Sequence, residues 1–322
     1  MSDPATSAPL LHFRGIQCPA CASVDAKFLF EAIDRLHGIP GTFHYVRCRT
    51  CGLGFMNPQV IPADIPNLYP PDYAPHSVQT FLAREIPRSP IKRLKSRLAR
   101  WITNDPLDAS LKLGQSSRVL DVGCGSGEFL HRVHRATGAH VFGIDFSPNA
   151  QASAEQSFSI PVFVGTIEDY LHNQEPFDLI TAWWLFEHVS DPRSFLTSVR
   201  RLLKRTGTFL FSVPNLASLN ARLFRSKWYH LDCPRHLFLY TPKSLRRLLH
   251  DSGFRIDSIR YDKTPWGLLG SLQYFFYDTN LDPQTANRLR GNARLWKPLL
   301  PLTIALGLLR ISDTMTVRAS MR

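Results

Sequence analysis

No apolar run in this chain is long enough to span a bilayer. The longest, Trp296 to Leu309, covers 14 residues, carries Lys297 and is broken by Pro298 and Pro301, whereas a spanning helix needs about 20. The first ten residues lack the basic start and apolar stretch of a secretory signal. The expected compartment is therefore the cytoplasm, with a peripheral position at the inner face of the membrane as a variant. Charged residues make up only 20% of the chain and hydrophobic ones 44%, a balance that excludes wholesale disorder. Acidic residues are the scarcer sign, 26 against 38 basic, for a formal net charge of +12. That excess favours an anionic partner: a nucleotide-linked substrate, a membrane surface or RNA.

Cysteine is sparse, but four of the six residues stand in two pairs, Cys18-Pro-Ala-Cys21 and Cys48-Arg-Thr-Cys51. Each short knuckle can present two sulfurs to one ion, which suits tetrahedral Zn2+. Disulfides and a redox pair fit less well, because a reducing compartment keeps thiols free and a redox motif needs only one pair. Four sulfur ligands close the coordination sphere, so the expected role is structural or docking. Gly52 and Gly54 follow the second knuckle, where a tight turn needs positive φ, and Thr42 to Val46 reads as the strand leading into it.

The segments divide as a ribbon and linker over 1–75, a basic helical connector over 76–112, and an α/β domain over 113–322. Pro58 to Pro75 reads as an extended linker. Phe81 to Ile102 carries seven basic residues and one acid, Glu85, with a helix expected from Pro90. That helix either packs on the catalytic domain with a solvated basic face or touches anionic lipid or a phosphorylated substrate.

Arg118-Val-Leu-Asp-Val-Gly-Cys-Gly-Ser-Gly-Glu-Phe-Leu130 is the most informative stretch. A strand ends at Val122, Gly123, Gly125 and Gly127 follow at alternate positions, and a helical pattern starts at Glu128. Such a turn lets backbone amides approach a ligand at the carboxyl edge of a parallel sheet. A second strand, Val141 to Asp145, ends in an acid 20 positions after Gly125, where a ribose hydroxyl pair would want a carboxylate. Pro161 to Val164 reads as a third strand and Phe177 to Ala182 as a fourth. Ser190 or Asp191 then caps a helix with Pro192 in its first turn, Gly207 ends it, and Thr208 to Val213, Phe254 to Tyr261 and Met315 to Ala319 complete the strands.

With Asp121-Val-Gly-Cys-Gly-Ser-Gly127, Asp145 and Leu185-Phe-Glu-His-Val-Ser-Asp-Pro192 in this order, residues 115 to 262 resemble the class I S-adenosylmethionine methyltransferases. The Leu185–Pro192 stretch is similar to the small-molecule branch that includes ubiquinone-biosynthesis O-methyltransferases. The resemblance implies a doubly wound, Rossmann-like seven-stranded sheet with an antiparallel closing strand. It also implies that Asp121, Gly123, Gly125 and Gly127 cradle the amino-acid end of S-adenosylmethionine and that Asp145 holds its ribose. Glu168 or Asp169 would lie near the adenine and Trp183 beside the methionine, unless Trp183 merely packs beneath the sheet edge.

Two insertions, 215–240 and 263–313, would serve the acceptor. Trp228 to His236 concentrates His230, Asp232, Arg235 and His236 in one loop. His230 and His236 are base candidates with Arg235 as an anion clamp, or the charged residues simply tie the loop down. His188 either faces the acceptor or caps the helix after it. Metal binding by these histidines is disfavoured, as no second ligand motif accompanies them. The second insertion reads as a helical lid or as a shallow interfacial anchor. Proteins joining such a ribbon to this branch resemble bacterial enzymes of sugar, polysaccharide or secondary-metabolite assembly, so the expected substrate is a small molecule or a sugar, glycan or lipid-linked precursor, methylated on O or C. The alternative is an RNA methyltransferase docking through ribbon and basic helix. Against it, the fourth strand ends in Ala182-Trp183-Trp184-Leu185, without the Asp/Asn-Pro-Pro-aromatic motif of exocyclic-amine methylation.

Overall fold

The computed structural model describes residues 11–69, 98–99, 101–103, 111–171, 175–277, 285, 288 and 290–322. Most of the basic Phe81–Ile102 segment lies outside them.

The N-terminal part contains five strands: β1 (Phe13–Arg14), β2 (Ala26–Ala32), β3 (Phe43–Cys48), β4 (Gly54–Met56) and β5 (Gln59–Val60). β1 pairs antiparallel with β5, and Pro62–Leu68 forms a 3-10 turn. The stretch expected as an extended linker is thus folded as far as Tyr69. Pro62 starts the turn at the position where a missing N–H costs nothing, and Leu68 is fully buried.

The α/β part alternates β6 (Arg118–Val122), α1 (Glu128–Thr137), β7 (His140–Asp145), α2 (Pro148–Phe158), β8 (Val162–Val164), β9 (Phe177–Trp183), α3 (Pro192–Leu202) and β10 (Leu203–Pro214). There follow α4 (Leu219–Phe224), β11 (Phe238–Leu239), α5 (Pro242–Asp251), β12 (Phe254–Tyr261), α6 (Trp266–Tyr277), α7 (Ala293–Leu308) and β13 (Thr314–Met321). Seven strands form one sheet in the order β12-β13-β10-β9-β6-β7-β8. The order reverses at β6, and β13 runs antiparallel to both β10 and β12. That is the doubly wound sheet with an antiparallel closing strand, and its switch point places a crevice beyond the carboxyl end of β6.

Local chemistry explains the elements around that crevice. The central strand β9 buries Phe177, Leu179, Ile180, Thr181 and Ala182, the near-continuous burial of a parallel strand covered on both faces. Asp191 caps α3 by accepting from the Arg193 and Ser194 amides, with Pro192 in the first turn. Phe195, Leu196, Val199 and Leu202 then recur on one buried face. The expected stop at Gly207 is corrected: α3 ends at Leu202, and Gly207 lies within β10. Leu203 adopts an extended backbone and pairs with Phe177, so strand pairing ends the helix without a glycine cap.

Ribbon and sheet share one hydrophobic core, which runs without a break from Cys18 and Tyr45 to Phe211 and Met315. The ribbon sheet, ordered β11-β4-β3-β2, takes its last strand from the 215–240 segment, with Phe238 opposite Phe55 and Leu239 opposite Gly54. Gly54 is a further correction, because its φ is not positive. A Cβ there would meet Leu216 at 2.7 Å and Leu239 at 3.1 Å, so close strand packing demands glycine. Among the described residues no helix is long and apolar enough to cross a membrane.

Candidate active site and metal centre

The strand–turn–helix from β6 to α1 holds the three glycines in the left-handed region, with φ of 74° at Gly123, 50° at Gly125 and 77° at Gly127. A side chain at Gly127 would press on Ala154 at 2.9 Å, and one at Gly123 on Leu185 at 3.0 Å. Close packing therefore keeps the turn free of side chains at Gly123 and Gly127. Asp145, at the end of β7, braces it by accepting from the Gly125 amide at 2.9 Å and from the Ser147 amide at 3.0 Å. Asp121 is buried and accepts from the Thr181 hydroxyl at 2.6 Å. Burial pushes its carboxyl up to about 7, with the Asp145 charge adding to the rise against the Thr181 bond.

Trp183 sits at the end of β9 edge-on to Phe129, ring centroids 5.2 Å apart. Its indole N–H is buried with no hydrogen-bond partner among the described residues. Asp169 is exposed and spends its carboxylate on the Thr166 amide and hydroxyl, at 3.0 and 2.7 Å. Glu168 beside it is half-buried.

The base candidates do not form one group. His188 and His236 meet edge to face at 4.6 Å between ring centroids. His230 instead stacks on Trp184 at 5.5 Å with planes 7° apart, and its backbone carbonyl accepts from His236 Nδ1 at 2.9 Å. Trp184 itself has a φ of 55°, a strained value for an aromatic residue that turns its ring from the sheet onto His230. Burial pulls the imidazoles down to about 4 for His188, 4 for His230 and 3 for His236. All three are neutral at physiological pH, so each carries a lone pair.

Three neighbours had not been singled out from the sequence. Glu187 is fully buried, and neither carboxylate oxygen has a partner among the described residues. Burial pushes it up to about 8. His236 Nε2 lies 3.7 Å from it. Tyr69 brings its hydroxyl within 2.9 Å of His188 Nδ1 and packs on Phe146, just after β7. Thr181 supplies the bond to Asp121. Glu187 stood in the quoted Leu185–Pro192 stretch, so a buried acid at a strand end was the available signal.

Arg235 is not a free anion clamp. It is 1% exposed and forks onto Asp34 at 2.8 and 2.8 Å and onto Asp232 at 2.7 and 3.0 Å. Against the opposing effect of burial, its guanidinium holds both carboxylates below their usual range. The Asp34 link crosses from the ribbon, and Tyr45 of β3 adds a second link by donating to the His236 carbonyl at 2.9 Å. The ribbon therefore forms one wall of the acceptor loop.

At the four-cysteine site Cys18 Sγ lies 3.5 Å from Cys51 Sγ, and Cys21 Sγ 3.6 Å from Cys48 Sγ. Ligand atoms of all four fall within 4.8 Å of one another. A tetrahedron with zinc–sulfur bonds of about 2.3 Å has edges of roughly 3.8 Å, so the donor set fits the ion. The two knuckles match in shape: Gly52 after the second has a φ of 81°, and Ala22 after the first has 57°. The Cys51 thiol is held down to about 5 by its hydrogen bond from Cys18, which is itself driven up.

Sheet order, glycine turn and acidic strand ends define a doubly wound α/β protein with a nucleoside-type crevice. Residues 90–259, over half of the chain, match the Methyltransferase domain family, and the chain belongs to that family. It is 43% identical over 108 residues to a ubiquinone biosynthesis O-methyltransferase of Actinobacillus pleuropneumoniae serotype 5b (strain L20), covering 30% of this chain and 46% of the relative. The corresponding enzyme of Xylella fastidiosa (strain 9a5c) is 31% identical over 165 residues, 47% of this chain and 66% of the relative. The chain thus spans about half to two thirds of the length of these curated relatives. A SAM dependent methyltransferase from Archaeoglobus fulgidus superposes with a TM-score of 0.44 at 22% identity, over 71% of this chain and 93% of that one.

Proposed function

We propose that this chain transfers a methyl group from S-adenosylmethionine to an oxygen or carbon atom of a small molecule, a sugar, or a glycan or lipid-linked precursor. The observation that carries the reading is the Gly123–Gly127 turn at the carboxyl end of β6, its three glycines at positive φ and braced by Asp145. In this reading Asp121, Gly123, Gly125 and Gly127 hold the amino-acid end of the cofactor, Asp145 its ribose, and Glu168 or Asp169 its adenine side. Trp183, with its unpartnered N–H, borders the methionine. When bound, the cofactor supplies an electrophilic methyl on a sulfonium, for which alignment and exclusion of water provide much of the acceleration.

His188, half-buried, and His236, buried, both neutral, are the groups able to take a proton from an acceptor hydroxyl or carbon. His230 is a poorer base, because its ring is stacked on Trp184 and α6 crowds it. A Cβ at Gly267 would come within 2.6 Å of His230 Nε2. Oxygen as the acceptor atom is supported by the relatives, which are ubiquinone biosynthesis O-methyltransferases. Cys18, Cys21, Cys48 and Cys51 would hold a structural Zn2+.

A peripheral contact with an anionic membrane is supported by the far end of α6. Phe275, Phe276, Tyr277 and, on α4, Leu223 are exposed there, Phe224 packs against Phe275, and Arg222, Arg225 and Lys227 flank them. The same helix packs its small face, Gly267, Gly270 and Ser271, over Tyr229 and His230, as a lid would.

Incubation with methyl-labelled S-adenosylmethionine and bacterial extract, followed by partition into organic, aqueous small-molecule and RNA fractions, tests this. Label in the organic or small-molecule fraction is expected. Label confined to RNA overturns the small-molecule reading.

A further inference from the structure

We infer that Glu187, His188 and His236 bind a divalent first-row transition-metal ion, forming a second metal centre distinct from the four-cysteine site, in which the two imidazoles act as ligands in place of the base role given to them above. No paired motif announces it in the sequence. Glu187 and His188 follow the end of β9, while His236 arrives on the loop held by Arg235 and Tyr45.

Proximity comes first. One ligand atom from each of the three residues falls within 4.8 Å of the others, and His236 Nε2 stands 3.7 Å from Glu187 Oε1. The His236 imidazole is also set in the form a metal requires. His236 Nδ1 donates to the His230 carbonyl at 2.9 Å, and His188 Nδ1 lies 3.1 Å from the Arg235 carbonyl. A carbonyl can only accept, so the His236 ring carries its proton on Nδ1 and leaves the Nε2 lone pair free, while His188 Nδ1 also meets the Tyr69 hydroxyl at 2.9 Å, a group that can donate or accept. Backbone carbonyls serve metal-bound histidines elsewhere in this way, fixing tautomer and ring orientation.

Glu187 provides the independent sign. Both of its oxygens are buried without a hydrogen-bond partner among the described residues, a costly state for a group that can carry charge. The surrounding charge is short of a cation. Asp34 and Asp232 already outnumber Arg235, to which both are bonded, and an ionised Glu187 would leave three carboxylates facing one guanidinium. Two imidazoles and one carboxylate suit zinc, iron or a neighbouring ion and leave positions open for oxygen atoms of a ligand. Mg2+ and Ca2+ prefer oxygen-only shells.

The test is a metal count on the full chain. Protein dialysed against excess Co2+ and then freed of loosely held ions is assayed by mass spectrometry and by optical absorption. Two ions per chain are expected: one with the intense sulfur-to-cobalt absorption of the cysteine site, the other with only weak visible bands. Glu187→Gln and His236→Ala should each keep the first and bind the second at least tenfold more weakly. A single ion per unaltered chain overturns the inference whatever the variants do. So does a second ion that both variants hold as tightly as the unaltered chain. Calorimetry with S-adenosylmethionine reads the cofactor site separately, so failure of the methyl-transfer reading is distinguishable from failure of this one.

Discussion

The two ends of the crevice are built in opposite ways. At the proposed cofactor end a single strand–turn–helix forms the glycine turn, and its brace, Asp145 to the Gly125 amide, spans only 20 residues. At the proposed acceptor end local ties, Arg235 to Asp232 and His236 to the His230 carbonyl, are joined by remote ones: Tyr69 to His188 over 119 residues, Tyr45 to His236 over 191, and Asp34 to Arg235 over 201. The first geometry is dictated by backbone conformation and local crowding. The second exists only when the ribbon is folded against the loop. Damage to the ribbon should therefore disable acceptor chemistry and leave cofactor binding intact.

Cys48→Ser combined with Cys51→Ser gives the largest expected effect. Structural zinc contributes about 10–16 kcal/mol in zinc-finger peptides, far more than the ribbon could replace. Methyl transfer should fall by two orders of magnitude or more, while S-adenosylmethionine affinity, measured by calorimetry, stays within about threefold. Equal loss of both would show that the two ends are not separable.

Arg235→Ala comes next. It leaves Asp34 and Asp232 charged and enclosed, and breaking a buried pair in this way costs about 3–5 kcal/mol. Urea denaturation should report that loss. A double-mutant cycle with Asp34→Ala should show coupling above about 1 kcal/mol, and additivity of the two losses would mean that the ribbon and the loop are not joined through this contact.

Gly127→Ala tests the other end on a smaller scale. A left-handed φ of 77° costs an alanine about 1–2 kcal/mol, and the new methyl must displace Ala154. The variant should lose roughly tenfold in cofactor affinity with the metal content of the ribbon unchanged. Unaltered affinity would show that the turn tolerates a side chain and is not the cradle.

The same contrast explains what could be read from the chain in advance. The seven sheet strands, the glycine turn, Asp145, the Asp191 cap and the two cysteine knuckles are local patterns, in which neighbours in sequence are neighbours in space. Gly207 was misread because a helix can also end by its chain entering a strand. The choice for Arg235 between ligand clamp and loop tie stayed open because its partner Asp34 stands in another part of the chain with no motif around it. Glu187 passed unnoticed for a related reason. Its lack of partners is a property of the packed surroundings, and no pattern of flanking residues encodes it.

The smallest expected effect is a pH dependence whose sign differs between the two ends. Asp121 has a folded pKa of about 7, raised chiefly by burial. Its protonated form is favoured in the folded chain, so this contribution to stability is full below the unfolded value near 4. It is lost as pH rises through about 7. Cofactor binding should follow the opposite course, because an ionised Asp121 is the better partner for a cationic ligand. Between pH 6 and 8 the affinity for S-adenosylmethionine should rise about tenfold, and Asp121→Asn should flatten the curve. The acceptor histidines have folded values of about 4, 4 and 3, lowered by burial. Their contribution to stability is present above the unfolded value near 6.5 and is lost as pH falls toward those values. Acidification from pH 6.5 to 5 should thus loosen the acceptor loop while protonating Asp121. Hydrogen-exchange protection, taken relative to the intrinsic rate at each pH, should fall over that range more at the Leu237 and Phe238 amides, which donate to the Glu187 carbonyl, than at the Gly125 amide. Equal loss of protection would mean that the ends titrate as one unit and that their separation is confined to construction.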